Sequence, residues 1–164
     1  MRATKIGSED IPHQTTTRNE LKKKEEVGMV TVDLPSKGLG VLAAQQFFTN
    51  DVICEYIGQR ITLEESRERL SNLTEKQGCY ILDVECRRKS FSLDATNNNG
   101  RKGRLVNHSC TPNCKTEIRT IDNVQRVVLV AKQNIGIGEE ITYNYGDRSK
   151  EALKANPWLA NPSG

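Results

Sequence analysis

Two tyrosines near the end of the chain, Tyr143 and Tyr145, have the residue type and spacing of a chemical site. They lie in a β-rich stretch, Ile141–Tyr145. Alternate residues of a strand point to the same side, so both phenols can face one pocket. Two such phenols can orient an amine by hydrogen bonds, and their rings suit a methylsulfonium or ammonium carbon. The structural alternative is a pair of tyrosines packed within a sheet.

A second unusual segment, Arg104–Cys110, sets small apolar residues beside strong hydrogen-bonding groups. Neighbouring residues of a strand point to opposite faces, which disfavours a nucleophile–base pair of Ser109 and His108. His108 is therefore predicted to be a structural hydrogen-bonding residue. The simplest alternative for the whole segment is a strand that enters a turn capped by asparagine and histidine.

The cysteines and glycines give weaker signals. Cys110 and Cys114 have a spacing that could begin a metal site, but two ligands do not complete one and the chain has two histidines in all. Gly38-Leu39-Gly40 permits either a hairpin turn or a close approach of the backbone to a ligand. The five cysteines are an odd number and no secretion signal accompanies them, which favours a reduced intracellular compartment.

The elements that must position these residues are mostly short strands. The pattern predicts a mostly β fold with short helices and small sheets. A capping box at Thr62 and Glu65 predicts a helix that runs to about Leu73. The turn Asp122-Asn123 predicts a hairpin between strands at Thr116–Arg119 and Arg126–Ala131.

The length of 164 residues allows one domain with short flanks. Residues 1–27 are predicted to be a polar, partly helical flank, and Lys22–Glu26 to be a solvated helix face. A net charge of +3 is too small to indicate nucleic-acid binding by itself. Apolar runs such as Val127–Ala131 are far shorter than the ~20 residues of a membrane span, so no membrane association is expected.

Taken in order, three motifs resemble those of the SET-domain protein-lysine methyltransferases. They are Lys37-Gly38-Leu39-Gly40, Asn107-His108-Ser109-Cys110 and the segment Gly138–Tyr145. The resemblance covers residues 28–147. Further segments are similar to the branch of that family that monomethylates lysine 20 of histone H4: Glu55-Tyr56-Ile57-Gly58, Gly78-Cys79-Tyr80, Asp94-Ala95-Thr96, residues 146–150 and Pro157-Trp158-Leu159.

The resemblance implies a SET-domain fold of small curved β-sheets with a C-terminal pseudoknot, in which the end of the domain passes under the loop of Asn107 and His108. Residues 28–147 would form the catalytic domain. Residues 148–164 would form a flank that closes the cofactor and peptide clefts. Many members complete a zinc site from the position of Cys110 and a cysteine-rich tail. No cysteine follows Cys114, so no structural metal is expected.

The resemblance also implies roles for individual residues, each at the position of a family motif. The catalytic residues would be Tyr145, Tyr143 and Tyr56. The channel for the substrate lysine would be lined by Tyr56, Cys79, Tyr143 and Tyr145. S-adenosylmethionine would be bound by Lys37, Gly38, Leu39, Tyr80, Asn107, His108 and Trp158. Leu39 stands where the related enzymes have a basic residue, so its contact is expected from the backbone.

The function implied is transfer of one methyl group from S-adenosylmethionine to a lysine ε-amine, with S-adenosylhomocysteine as product. The implied substrate is lysine 20 of the histone H4 tail in nucleosomes, with nuclear, chromatin-associated localisation. We expect a monomer that meets nucleic acid only through the nucleosome. Two alternatives are a lysine methyltransferase for another histone site or a non-histone protein, and an inactive SET-like module that binds histones.

Overall fold

The computed structural model describes residues 17–74, 80–86 and 89–145. Two α-helices, one 3₁₀ turn and ten strands follow one another along this part of the chain. The helices are α1 (Arg18–Gly28) and α2 (Leu63–Ser71), and the 3₁₀ turn is Gly103–Leu105. The strands are β1 (Met29–Leu34), β2 (Gly38–Ala43), β3 (Val52–Glu55), β4 (Gln59–Ile61), β5 (Ile81–Cys86), β6 (Lys89–Asp94), β7 (Asn107–His108), β8 (Cys114–Ile121), β9 (Val124–Ala131) and β10 (Thr142–Tyr143).

The strands form four small sheets, which confirms the prediction of a mostly β fold with short helices. β1 and β2 form an antiparallel pair, and β7 and β10 form a parallel pair. The two larger sheets have three strands each, in the orders β3-β9-β8 and β4-β6-β5. Neither described helix has the length and apolar character that crossing a membrane requires.

The predicted hairpin is present and is longer than expected. β8 and β9 pair from Cys114–Ala131 to Ile121–Val124. The connecting residues Asp122 and Asn123 have φ angles of 51° and 60°. Positive φ at both central residues is typical of the type I′ turn, whose twist matches that of the two strands.

Both described helices begin at a capping box. The hydroxyl of Thr62 accepts a hydrogen bond from the backbone N–H of Glu65, whose carboxylate accepts one from the Thr62 N–H. Thr17 and Glu20 make the same exchange at the start of α1. The cap predicted at Thr62 is therefore confirmed, while α2 ends at Ser71 rather than at Leu73.

The strand predicted at Ile141–Tyr145 is only two residues long in the structure. Ile141 donates its backbone N–H to Val41 of β2, and Tyr145 donates its N–H to a side chain, the Nδ1 atom of His108. The backbone therefore bonds β2 before Thr142 and a side chain after Tyr143, and its pairing with β7 covers only Thr142 and Tyr143.

Strand β9 is buried on both faces and separates two apolar clusters. Val127, Leu129 and Ala131 lie in the main core, together with the fully buried Phe47 and Ile53. On the opposite face, Val128 and Val130 pack with Leu21 of α1 and with Ile121. Helix α1 therefore contributes a buried side chain to the domain, although the predicted boundary at residue 28 would place it in a flank.

The prediction of a solvated helix face at Lys22–Glu26 is wrong for Glu25. Its side chain is 2% exposed and accepts hydrogen bonds from Nε and Nη2 of Arg101, at 2.9 and 2.6 Å, and from the Lys102 backbone N–H. Lys102 Nζ also donates to carbonyl groups at the end of α1. These partners lie about 75 residues away in the sequence, so local charge patterning could not indicate them.

A second buried carboxylate joins α1 to the sheet β3-β9-β8. Glu55 of β3 accepts a hydrogen bond from Arg18 of α1 at 3.0 Å and from Arg126 of β9 at 3.2 Å. A buried carboxylate is stable when it is both paired and hydrogen-bonded. Glu25 and Glu55 therefore tie the helix to two separate parts of the domain.

Replacing Glu25 by glutamine leaves the mostly buried guanidinium of Arg101 without its counter-charge. We expect the Glu25→Gln variant to lose about 3 kcal/mol of the free energy of unfolding. Glu26→Gln is the matched control, since that side chain is exposed on the same helix, and it should change stability by less than about 0.5 kcal/mol. Urea denaturation followed by circular dichroism measures both, and equal losses would contradict the role given to Glu25.

Candidate active site

The site is assembled where the end of the described chain pairs with a segment that precedes it by more than thirty residues. In the parallel pair β7–β10, Asn107 lies beside Thr142 and His108 beside Tyr143. Ser109 donates its N–H to the Tyr143 carbonyl at 3.1 Å and extends the contact. The predicted pseudoknot requires a pairing of this kind, and it brings the two segments selected from the sequence together.

Three of the predicted tyrosines form a continuous aromatic cluster with His108. The ring centroids of Tyr143 and Tyr145 are 4.8 Å apart, and those of Tyr56 and Tyr143 are 6.3 Å apart. The ring of His108 contacts Tyr145 at 5.3 Å. All four side chains are buried. The expectation that Tyr143 and Tyr145 face one region agrees with this geometry.

Tyr145 is held at both ends by the segment that carries His108. Its phenol donates a hydrogen bond to the Val106 carbonyl at 2.9 Å, and its backbone N–H donates to Nδ1 of His108 at 3.1 Å. Because the phenol proton is used on Val106, the phenol oxygen can act toward a neighbouring group only as an acceptor.

The same contacts give the two ring nitrogens of His108 different surroundings. Nδ1 accepts the Tyr145 N–H, so this nitrogen is not available to take a proton from a substrate. Nε2 lies 3.7 Å from the Cys110 sulfur. Ser109 uses its hydroxyl in the following turn, where it accepts from the Thr111 N–H. This arrangement favours a structural role for His108 and offers no Ser109–His108 nucleophile pair.

Tyr56 and Tyr80 form a further part of the site. The phenol of Tyr56 donates to the Tyr80 carbonyl at 2.9 Å. The guanidinium of Arg104 lies 3.9 Å from the ring centre of Tyr80 and donates to the carbonyls of Ala95 and Thr96. Tyr80 is thus held by its carbonyl on one side and by a cation on its ring face.

The side-chain amide of Asn107 has a defined orientation. Its nitrogen donates to the Leu39 carbonyl at 3.2 Å and to Oε1 of Glu140 at 3.1 Å. Among the described residues, no donor bonds the amide oxygen, although the side chain is buried. A buried acceptor without a partner carries a free-energy cost that a bound donor group relieves.

Lys37 and Gly40 lie beside this amide. Lys37 Nζ forms an ion pair with Oε2 of Glu140 at 2.9 Å. A Cβ atom at Gly40 would lie 2.8 Å from Nδ2 of Asn107 and still closer to Leu34. The second glycine of Gly38-Leu39-Gly40 is therefore required for close approach, whereas Gly38 has a φ of 75° in the turn.

The predicted site residues thus fall into two connected groups. Tyr56, Tyr80, Tyr143, Tyr145 and His108 form the aromatic group. Lys37, Gly38, Leu39 and Asn107 form the polar group, which meets the first through adjacent residues of β7. Cys79, Trp158 and the flank 148–164 lie outside the described residues, and their roles remain predictions.

Two residues that carry contacts of the site received no role from the sequence, Glu140 and Asn113. Glu140 binds Asn107 and Lys37, while Asn113 donates to the Glu140 carbonyl and accepts from the Thr142 N–H. Glu140 belongs to the motif at Gly138–Tyr145, but its partner Lys37 lies 103 residues away. Local sequence gives no sign of such a pair.

The two cysteines of metal-type spacing occupy different environments. Burial raises the pKa of the Cys114 thiol to about 12, and the thiol donates to Oδ1 of Asn113. Within residues 17–74, 80–86 and 89–145 there is no group of three metal-ligating side chains. A groove of about 380 Å³ is lined by Arg69, Asp94 and Thr96 among others and by none of the predicted site residues.

Comparison with known proteins identifies the domain. The SET domain model matches residues 38–146. The chain is 39% identical over 139 residues to the N-lysine methyltransferase KMT5A of Xenopus tropicalis, across 84% of this chain and 41% of that protein. It is 43% identical over 126 residues to the histone-lysine N-methyltransferase Set8 of Drosophila melanogaster, across 76% of this chain and 18% of that protein.

A solved structure gives the same result for the fold. The crystal structure of CpSET8 from Cryptosporidium superposes with a TM-score of 0.60 at 34% sequence identity, over 74% of this chain and 58% of that chain. The present chain therefore spans less than half the length of the two curated relatives and somewhat more than half of the solved one.

The raised pKa of Cys114 predicts slow alkylation in the native protein. At pH 8 a thiol with a pKa of about 12 is ionised in about one molecule in ten thousand, against about one in four for an ordinary cysteine. Site-resolved mass spectrometry after iodoacetamide treatment should show Cys114 unmodified until the protein is unfolded in urea. Labelling of native Cys114 as fast as in urea would contradict its buried, protonated state.

Proposed function

Because the chain belongs to the SET-domain family, we propose that it is a protein-lysine methyltransferase that uses S-adenosylmethionine. The observation that carries this proposal is the buried cluster of Tyr56, Tyr143 and Tyr145, joined through β7 to the Asn107 amide. Aromatic rings supply an amine-binding surface, and the amide supplies a polar contact for a methyl donor. The two lie next to each other, as transfer between two bound substrates requires.

The residues proposed to bind the methyl donor fit S-adenosylmethionine for one structural reason. The buried amide oxygen of Asn107 has no donor among the described residues, and a ligand with ammonium, hydroxyl or amino donors would satisfy it. Gly40 leaves the backbone close to that amide. The residues proposed to hold the donor are Lys37, Gly38, Leu39, Tyr80, Asn107, His108 and Trp158. When bound, S-adenosylmethionine supplies an electrophilic methyl group carried on a sulfonium.

The substrate lysine must lose a proton before it can attack, since an ammonium has no lone pair. The reference pKa of lysine is about 10.4. A desolvated channel beside the positively charged sulfonium of the bound methyl donor would favour the neutral form of the amine. His108 is unsuited as a general base because its Nδ1 already accepts the Tyr145 N–H. We therefore assign proton loss to water rather than to a dedicated side chain.

Tyr145 is proposed to position the amine rather than to exchange protons with it. Its phenol proton is directed at the Val106 carbonyl, so its oxygen presents lone pairs to a neighbouring N–H or polarised C–H group. Tyr56 is fixed in the same manner on Tyr80. Catalysis would then come from orientation and from fixed dipoles in a water-poor site.

The number of methyl groups transferred is proposed to depend on Tyr143. Its ring lies between those of Tyr56 and Tyr145 and is buried. A phenol hydroxyl at this place occupies room that a methylated amine needs in order to turn into line for a second transfer. We therefore propose a monomethyltransferase.

The proposed substrate is lysine 20 of the histone H4 tail in nucleosomes, and the proposed location is nuclear chromatin. The support is the set of segments shared with that branch of the family, among them Glu55-Tyr56-Ile57-Gly58 and Asp94-Ala95-Thr96. One of the relatives is named a histone-lysine N-methyltransferase. The protein is proposed to act as a monomer and to meet nucleic acid only through the nucleosome.

Methylation of reconstituted nucleosomes tests the reaction and the substrate together. With labelled S-adenosylmethionine, we expect one methyl group on histone H4 lysine 20, located by mass spectrometry, and none on nucleosomes whose H4 carries arginine at that position. Methylation of another site would establish the enzyme and reject the substrate. Complete lack of transfer, with nucleosome binding retained, would favour an inactive binding module. Tyr145→Phe, which loses one phenol oxygen, serves as the impaired control.

Replacing Tyr143 by phenylalanine removes only the hydroxyl that is proposed to limit product number. We expect Tyr143→Phe to shift the product from monomethyl-lysine toward dimethyl-lysine while the first transfer continues. Mass spectrometry of an H4 peptide at increasing reaction times measures the shift. Abundant trimethyl-lysine from the unsubstituted protein would contradict the assignment.

A further inference from the structure

The carboxylate of Glu140 lies behind the Asn107 amide and is shared between two residues of the donor site. Oε1 accepts from Asn107 Nδ2 at 3.1 Å, and Oε2 accepts from Lys37 Nζ at 2.9 Å. We propose that Glu140 is a positioning residue, which acts through Asn107 to set the affinity for the methyl donor. This inference rests on the proposed function, because it names how that same site is prepared for its donor.

The direction of the Asn107 amide follows from its neighbours. A carbonyl oxygen and a carboxylate oxygen are both acceptors, so the amide nitrogen must face Leu39 and Glu140. The amide oxygen then has to point away from both, and it stays available to a hydrogen-bond donor of the bound ligand. Without Glu140, only the Leu39 carbonyl would accept a hydrogen bond from the Asn107 amide nitrogen. A flipped amide would then no longer place its oxygen against a carboxylate oxygen.

The charge of Glu140 adds to this effect. A carboxylate that accepts from an amide N–H polarises the amide and strengthens its oxygen as an acceptor. The amide oxygen of Asn107 is therefore a strong acceptor for a cationic or strongly polar hydrogen-bonding group of the ligand. Lys37 balances the charge of Glu140, and both side chains are only about one quarter exposed.

The backbone of Glu140 is held on both sides, so the point from which its side chain extends is fixed. It forms an isolated antiparallel bridge with Leu42 of β2. From the other side, the Asn113 amide donates to its carbonyl at 2.8 Å. The following residue, Ile141, donates to Val41 at 2.8 Å. A carboxylate anchored in this way can orient a neighbouring side chain without reorganising itself.

The preceding residue provides a matched control of equal charge. Glu139 uses its carboxylate on the turn before β10, where Oε2 accepts from the Gly136 N–H at 2.7 Å. In the described part of the chain, its carboxylate makes no hydrogen bond or ion pair with Asn107 or Lys37. Glu139→Gln therefore makes the same change in net charge one residue away, on a side chain that is outside the donor site.

Glutamine at position 140 offers one acceptor oxygen where two donors must be served, and its NH₂ group would face one of them. We expect Glu140→Gln to weaken binding of S-adenosylhomocysteine by about tenfold or more, measured by isothermal titration calorimetry. Glu139→Gln should change the affinity by less than about twofold. In an Asn107→Ala background, the further change Glu140→Gln should cost less than about twofold.

Three results would overturn the inference: equal effects of Glu140→Gln and Glu139→Gln, an unchanged affinity in Glu140→Gln, or a full additional loss in the Asn107→Ala background. Thermal unfolding checks that each variant is folded. If Glu140→Gln does not fold, side-chain amide NMR of the unsubstituted protein remains decisive. Both Asn107 amide protons should be protected from solvent exchange, and rapid exchange of both would reject the hydrogen bonds on which the inference depends.

The failure of this inference is distinguishable from failure of the proposed function. If the unsubstituted protein binds neither S-adenosylmethionine nor S-adenosylhomocysteine, the proposed function fails. If it binds both and Glu140→Gln binds equally well, only the positioning role of Glu140 fails.

Discussion

The site depends on one short parallel pairing, in which β10 lies beside β7. Two residues on each strand cannot maintain a pair alone, since the ordering of the intervening chain opposes it. The contact persists because further hydrogen bonds extend it. The Tyr145 N–H donates to Nδ1 of His108, the Asn113 amide bonds both Glu140 and Thr142, and the Ser109 N–H donates to the Tyr143 carbonyl. The polar groups that build the pairing are thus also the groups that place the tyrosines.

Buried charge connects this pairing to the rest of the domain. Glu25 in α1 holds Arg101 and Lys102, which lie immediately before the 3₁₀ turn that leads into β7. Gly103 in that turn approaches the Glu55 carbonyl so closely that a Cβ atom would lie 2.8 Å from it. The entry to β7 is therefore fixed from α1 and from β3. A helix that sequence patterning treats as a flank has a structural connection to the candidate site.

A feature of this structure could be predicted from the sequence when the residues that determine it lie close together along the chain. The capping box of Thr62 and Glu65, the turn at Asp122-Asn123 and the common face of Tyr143 and Tyr145 are local patterns, and they could be predicted from residue types. The parallel pairing followed only from resemblance to the family, because no local signal marks it. Glu25 and Glu140 could not be predicted, since the partners of Glu25 lie 76 and 77 residues away and those of Glu140 lie 33 and 103 residues away. Charge patterning treated Glu25 as exposed because it considers only neighbours along the helix.

The two groups of site residues differ in how closely they are bound to the fold. Tyr145 is fixed by its backbone N–H and by its phenol to the segment of Val106 and His108. A change at His108 therefore disturbs the strand pairing and the tyrosine at once, and loss of activity there would not identify a chemical role. Glu140 makes its contact with Asn107 through side chains, while its backbone is held separately by Leu42 and Asn113. Because the carboxylate can be changed without removing those backbone bonds, the polar group is the part of the site where positioning of the donor can be separated from the integrity of the fold.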